Sequence, residues 1–356
     1  MAAAIATTDS RRTQRALTLG AIGSAALFVA CRGVAPARPA GPPTQRVDAA
    51  SLEPLDYVPA AGLRWLIVSH PRRIFADPEL GRAIFELAPP DRLASFASAT
   101  GVDPRQVQDV VAAGYDLGTL YVTALPAADG GHARSLFEQR LSAGAIVKHP
   151  RPELYRIAGT RDGTPRALVS VGDRLLAFAV GDLTLSRVAE AYAEGRLKSP
   201  TALRGASLST LPSVGDALAV LYAPGPFSGA WTKAASGLLA DALAVAVVVK
   251  RDESAGASLR FEIIVAGDWT PDAAQSRMVT AWTDFASSSP GRLFGLDQAK
   301  NVNSVAHLHE LTWSGELSLP QLVAGLRAAT VANVPEILDV HGGDQTGSPD
   351  EQQPAP

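Results

Sequence analysis

Cysteine is nearly absent from this chain of 356 residues, because Cys31 is the only one. The rest of the chain therefore has no internal disulfide, no thiol nucleophile and no thiolate metal site. Lysine is also scarce, with five lysines against 27 arginines, and the net charge is −3. Because phosphate binding needs clustered basic residues, a nucleic-acid partner is not expected. With 6% aromatic residues, the core must consist mostly of alanine, leucine and valine.

The motifs that usually carry chemistry are missing as well. The sequence has no Gly-x-Gly-x-x-Gly after a predicted strand, no phosphate loop, no Gly-x-Ser-x-Gly elbow and no His-Glu-x-x-His. These motifs accompany dinucleotide, nucleotide, hydrolase and zinc-protease sites. The sequence therefore favours a non-catalytic protein, and no cofactor is predicted. An enzyme that lacks these motifs stays open as the alternative.

The start of the chain has the architecture of an export signal. Arg11, Arg12 and Arg15 precede an uncharged, largely apolar run at 16–30. A basic segment, a short apolar segment and a small residue at the processing point are typical of secretory signals. The run is too short to cross a hydrocarbon core, which needs about 20 residues. We therefore predict that residues 1–30 are a signal peptide.

The end of this signal, Leu27-Phe28-Val29-Ala30-Cys31, resembles the lipobox of bacterial lipoproteins. The resemblance implies that Cys31 is acylated on its sulfur, becomes the new N-terminus and anchors the protein stably in a membrane through two or more chains. By analogy with that family, Arg32 favours the outer membrane in a cell with two membranes. The alternative is an ordinary secretory signal cleaved near Ala35-Pro36-Ala37, which would leave the protein secreted.

Composition divides the rest of the chain into a spacer, two folded halves and a tail. Residues 31–56 contain four prolines between Arg32 and Val47, which predicts an extended, lipid-anchored linker. Residues 57–196 and 205–335 carry strand and helix patterns, and a polar, less patterned stretch separates them. Residues 341–356 have little apolar content and are predicted to form a disordered tail.

Hydrophobic periodicity predicts alternating strands and helices in the first half. Leu63–Ser69 is short, apolar and rich in β-branched residues, as is typical of a strand. Asp77 and Pro78 provide a cap and a first-turn proline for a helix. The other predicted elements are a helix at 91–100, strands at 107–113 and 119–125, a helix at 132–141, strands at 154–158, 167–171 and 175–180, and a helix at 183–194.

The second half begins with a stretch that is similar to the start of the first. Three residues around a predicted strand recur 153 positions later, with Pro59, Gly62 and Pro71 matching Pro212, Gly215 and Pro224. A helix at 227–239, strands at 242–249 and 258–265, a helix at 271–286, a strand at 304–313 and a helix from 319 follow. We therefore predict an α+β protein with two similar halves, each an antiparallel or mixed sheet with helices on one face. Chance is the alternative, because the chain has 26 prolines and 31 glycines.

His307 and His309 are the candidate metal ligands. Residues two apart on a strand project to the same face, so a strand at 304–313 would let both imidazoles reach one zinc ion. A third ligand is not identified, although His70 qualifies if its strand is a neighbour. The same alternation also fits a half-buried strand face that binds no metal.

The carboxylates form no recognisable acid–base pair. Several lie at the ends of predicted elements, where turns and caps favour aspartate: Asp216, Asp241, Asp252, Glu253 and Asp268. General acid–base catalysis needs two such groups to converge in a pocket, which the sequence does not indicate.

Together these observations predict an extracytoplasmic, membrane-anchored lipoprotein of the cell envelope that binds a protein, glycan or lipid without catalysis. The alternative is a metal-binding protein or metal-dependent hydrolase that uses His307 and His309. A groove between the two halves is a third candidate, because interdomain clefts often hold small ligands.

Overall fold

One antiparallel sheet organises the computed structural model, which describes residues 53–126, 129–142, 145–197, 216–229, 235–252, 258–267, 269, 271–307 and 309–331. All of them belong to one structural unit, Arg46–Pro356. The strands are β1 Leu63–Ser69, β2 Asp109–Tyr115, β3 Gly118–Ala124, β4 Ile146–Arg151, β5 Leu154–Arg161, β6 Thr164–Val171, β7 Leu175–Gly181, β8 Ala219–Pro224, β9 Ala242–Arg251, β10 Ser258–Gly267, β11 Lys300–His307 and β12 Glu310–Ser318. The helices are α1 Pro71–Ala76, α2 Pro78–Leu87, α3 Pro90–Thr100, α4 Asp129–Gln139, α5 Thr184–Ala193, α6 Pro271–Ser287, α7 Ser289–Leu293 and α8 Leu319–Val331.

The strand order places the start of each half at the centre of the sheet. Among the described residues the order is β11-β12-β10-β9-β8-β1-β2-β3-β7-β6-β5-β4. β1 and β8 pair antiparallel, with Leu66 opposite Tyr222 and Ser69 opposite Ala219. The two predicted halves therefore share a single sheet, and the α+β class is confirmed.

The sheet has two faces, which we name by residues of β1. Face A carries Leu66 and Val68, which are buried, and face B carries Trp65 and Ile67, which are partly exposed. Because side chains alternate along a strand, this assignment and the strand register place the remaining strand residues on face A or face B. The distribution of helices over the two faces decides which parts of the sheet are covered.

In the first half, helices pack on both faces. Leu185 and Ala189 of α5 join a core cluster with Val169 on face A, whereas Ala133 of α4 packs with Leu168 on face B. Residues 167–171 of β6 are buried at both parities, as expected for a strand that is covered on both sides. The prediction of helices on one face is therefore wrong for this half.

In the second half, the helical core lies on face B. Met278 of α6 and Val323 of α8 share a cluster with Phe261 and Trp313 of the sheet. The rings of Phe261 and Trp282 stack with centroids 5.7 Å apart. α2 also joins this cluster through Leu80 and Ala83.

Local signals set the start of α2 and fix it to the sheet. Asp77 Oδ1 accepts hydrogen bonds from the backbone N–H groups of Glu79 and Leu80, both at 2.9 Å, as expected for an N-cap. Asp77 also forms an ion pair with Arg251 of β9, with 3.0 Å between Oδ2 and Nε, and Arg251 pairs with Glu79 as well. These contacts attach a first-half helix to a second-half strand.

One predicted helix is wrong, and three short helices or strands were not predicted. In place of the helix at 227–239, the described part of this stretch contains a 3₁₀ turn at Ala235–Asp241. Ser236 and Gly237 have φ values of 54° and 79° there, which interrupts a helix. The elements that the sequence did not predict are α1, β4 and α7.

Several predictions concern residues that the structure does not describe. Four segments with predictions lie outside the described residues: the signal peptide at 1–30, residues 31–52 of the linker, the tail at 341–356, and residues 198–215. The last segment covers the predicted boundary and the start of the second half, including Pro212 and Gly215. Among the residues that the structure describes, no helix is both long and apolar enough to span a bilayer.

Three tyrosines have pKa values that the fold raises above the ordinary value. Burial raises the pKa of the Tyr57 phenol, and the negative charge of Asp56 raises it further. Burial also raises the pKa values of Tyr115 and Tyr222, with a smaller contribution from Tyr192 at Tyr115. The hydroxyl of Tyr115 donates a 2.8 Å hydrogen bond to the carbonyl of Pro59.

The raised pKa values of these tyrosines predict that the folded protein loses stability at alkaline pH. Below about pH 10 they are neutral in both states, so the stabilising contribution is fully present. Above that pH the unfolded chain releases protons that the folded chain retains, and the free energy of unfolding falls as pH rises. We expect urea denaturation to show this fall, and absorbance at 295 nm to show delayed ionisation of part of the six tyrosines. A Tyr57→Phe variant should have a flatter pH dependence, and ionisation of all six at the ordinary pKa would contradict the prediction.

Candidate functional site

The two candidate metal ligands lie at a hairpin and not on one strand. β11 ends at His307 and β12 begins at Glu310, so the predicted single strand at 304–313 is wrong. His307 is opposite Glu310 in the ladder, and the carbonyl of His309 accepts a 2.9 Å hydrogen bond from the N–H of Gly267. Both histidines are exposed, but the alternation argument for a shared face does not apply to His309.

His70 lies far from this hairpin. The neighbours of β1 are β2 and β8, and β11 is five positions away in the sheet, a distance of about 24 Å. His70 is buried, and its Nδ1 lies 2.5 Å from Oδ1 of Asp109. This pair links the end of β1 to the start of β2, so the structure does not bring His70 together with His307 and His309.

The carboxylates do not converge either. Asp241 and Asp252 flank the two ends of β9, a strand about 34 Å long, and Asp216 precedes β8. Glu253 and Asp268 lie outside the described residues. Within the described ranges, no group of three or more His, Cys, Asp or Glu side chains is placed to hold a metal ion.

A different feature stands out at the centre of face B, where apolar side chains lie side by side across four strands. Ile67 of β1 is opposite Leu221 of β8 on one side and Ala112 of β2 on the other, and Ala112 is opposite Tyr121 of β3. Leu221, Ile67 and Tyr121 are 39%, 38% and 41% exposed. We call Leu221, Ile67, Ala112 and Tyr121 the central row.

Trp65 extends the central row towards the start of β1. It is 36% exposed and opposite Gly114 of β2. A Cβ at position 114 would overlap the indole ring, so the ring lies directly over the glycine backbone. Glycine at this position allows the large ring to lie flat against the sheet.

The central row connects the two helical cores of face B. At one end, Tyr121 stacks on Phe178 of β7 at 6.1 Å, and Phe178 meets Phe137 of α4 edge-on at 5.5 Å. At the other end, Leu221 is opposite Val247 of β9, which packs against the core that contains α6 and α8. The row is therefore the uncovered part of a continuous apolar surface.

The central row contains no charged side chain. Next to Trp65 in sequence, Arg64 forms an exposed ion pair with Asp116, with 2.7 Å between Nε and Oδ1. The hydrogen bond from Arg64, together with its charge, lowers the pKa of the Asp116 carboxyl, and the same contacts raise the pKa of Arg64. The four side chains of the central row therefore offer apolar contact, whereas the charge of Arg64 is paired with that of Asp116.

Sequence reasoning did not find this surface. The available signal was in Leu63–Ser69, where both parities carry apolar residues. Such a run is typical of a strand that is covered on both faces, but face B of β1 is left open. The row itself depends on the register of four strands from both halves, which local patterns do not give.

Comparison with known proteins adds no relative, since no family model, curated protein or solved structure matches the chain. The candidate site therefore rests on the geometry of the chain itself.

The two faces of β1 predict stability losses of different size on alanine substitution. Leu66→Ala should lower the free energy of unfolding by about 2–5 kcal/mol, because Leu66 is fully buried. Ile67→Ala should lower it by less than about 1 kcal/mol, because that side chain already contacts water. Urea denaturation of both variants tests the assignment, and equal losses would contradict it.

Proposed function

We propose that this protein is an extracytoplasmic lipoprotein of the cell envelope, anchored through Cys31, that binds a partner without catalysis. The observation that carries the binding function is the central row, because an uncovered apolar surface in the middle of a sheet often marks an interaction site. The leader supports the location, since its basic and apolar segments end at the only cysteine of the chain.

Contacts among the titratable residues support binding over catalysis. The ion pairs that contain buried groups connect structural elements, as Arg156 of β5 does when it pairs with Glu190 of α5 at 3.4 Å. Arg156 also donates hydrogen bonds to the Ser186 hydroxyl at 3.2 and 3.3 Å. His70 and Asp109 likewise join two neighbouring strands. These groups are occupied in holding helices and strands together.

Anchoring through Cys31 predicts a change of location when the sulfur is removed. In a bacterial host, the wild-type protein should fractionate with membranes, and Cys31→Ala should be lost from that fraction, because two or more acyl chains give stable attachment. Mass spectrometry of the wild-type N-terminus should find an acylated Cys31.

Arg32→Asp provides a matched control, because it changes the neighbouring residue and keeps the sulfur. This variant should remain membrane-bound and, in a cell with two membranes, shift towards the inner one. A Cys31→Ala protein that stays with the membrane, or an intact Met1 in the wild-type protein, would contradict the anchor.

A metal-dependent function through His307 and His309 is the second candidate. Its support is that both imidazoles are exposed beside one hairpin turn. Within the described ranges, no third His, Cys, Asp or Glu side chain joins them to form a metal site. A zinc site needs about four ligands, of which an open site supplies three from protein.

Zinc titration of the purified protein tests this candidate. Calorimetry should detect binding to the wild-type protein and at least a tenfold loss in His307→Ala, because removing an imidazole removes a ligand. His149→Ala, at an exposed histidine on the opposite edge strand, is the control. A wild-type protein that ignores zinc excludes the candidate.

We also propose that the two halves descend from one duplicated unit. Each half contributes strands in the same order, β1-β2-β3-β7-β6 and β8-β9-β10-β12-β11, when the β4–β5 hairpin is set aside. A twofold axis through the Ile67–Leu221 pair corresponds to an offset of 154 residues. It matches buried Leu66 with Val220 and buried Val68 with Tyr222. The offset of 153 expected from the proline spacing would match residues on opposite faces.

A further inference from the structure

We propose that the central row is the docking site for a single amphipathic helix of a partner protein, an inference that rests on the proposed binding function. The open surface lies between two parts of face B that helices cover. Helices occupy face B of the first half through α4 and of the second half through α6 and α8.

The width of the opening fits one helix. From Leu221 on β8 to Tyr121 on β3 the row crosses three strand spacings, about 14 Å. A helix with its side chains is about 10–12 Å across, so one helix fills the opening and two do not. Because each packed helix adds a layer of about that thickness, the row is recessed between its neighbours.

The recess and its area argue against two other occupants. β8, β1, β2 and β3 each have hydrogen-bonded neighbours on both sides, so an added strand finds no free backbone there. The exposed parts of Trp65, Ile67, Tyr121 and Leu221 amount to apolar area on the order of 300 Å², whereas a stable dimer buries about 800 Å² per partner.

The chemistry of the row defines the face that the partner must present. Leucine, isoleucine and aromatic side chains at the surface require an apolar stripe, and an amphipathic helix supplies one at i, i+3, i+4 and i+7. A charged residue facing the row would lose hydration without gaining a partner. The four residues of the row include no cation that would attract an anionic lipid headgroup.

A designed peptide tests the proposal on the purified full-length protein. The probe is a fluorescent, stapled helix of about 14 residues with leucines at i, i+3, i+4 and i+7 and glutamine, lysine and glutamate elsewhere. Its control has the same composition with the leucines dispersed around the helix. Fluorescence anisotropy measures both on the wild-type protein, on Ile67→Lys and on Ile146→Lys. Ile146, on edge strand β4, is 57% exposed, so the two substitutions make the same change at two exposed sites.

We expect the amphipathic peptide to bind the wild-type protein and Ile146→Lys alike. Its Kd should rise about tenfold or more in Ile67→Lys, because an apolar contact is replaced by a charge. The dispersed peptide should not bind, and circular dichroism should show both variants folded. Failure of the amphipathic peptide to bind, equal binding of both peptides, or an unchanged Kd in Ile67→Lys would overturn the proposal.

Two further measurements separate the other occupants and the anchoring function. If the protein binds phosphatidylcholine–phosphatidylglycerol vesicles and Ile67→Lys abolishes that binding, the occupant of the row is a membrane. If sedimentation shows a dimer that Ile67→Lys dissociates, the occupant is a second copy of the chain. Failed peptide binding in a protein whose membrane association still requires Cys31 removes the helix proposal alone. Peptide binding by a protein whose membrane association ignores Cys31 removes the anchor alone.

Discussion

The antiparallel pairing of β1 with β8 is the constraint on which the rest of the structure depends. It joins Leu66–Ser69 to Ala219–Tyr222 and makes one sheet from two stretches that are about 150 residues apart in sequence. On face A, this pairing aligns Leu66 and Val68 with Tyr222 and Val220, all nearly inaccessible to water. On face B, the same pairing sets Ile67 beside Leu221. Burial on one face therefore fixes the register that creates the exposed row on the other.

Local signals were sufficient for elements whose boundaries depend on their own residues. The bounds of β1, Leu63–Ser69, were predicted exactly as the structure has them, and the Asp77 cap starts α2 at Pro78. A helix end is set by a few adjacent side chains and backbone groups, which a sequence displays directly. The same holds for Gly101, which ends α3 with a φ of 72°.

Elements that depend on distant contacts were not recoverable in this way. The hairpin between β11 and β12 has neither glycine nor proline at the turn beside His307 and His309, so the apolar alternation reads through it as one strand. β4 is exposed almost throughout, and its pairing with β5 gives it order that its own sequence does not indicate. The central row could not be predicted from local patterns either, because it depends on the register of β8, β1, β2 and β3 together.

The two halves share a strand order but differ in the sheet face on which their last helix packs. α5 lies on face A and α8 on face B, although the strands before them hold the same position in the strand order. The twofold relation proposed for the strands therefore does not extend to these helices. The proposed axis passes between Ile67 and Leu221, so these two residues are the equivalent contributions of the two halves to one surface. On face B, α6 and α8 cover the second half and α4 covers part of the first half. The sheet on either side of the axis, between these helices, stays open.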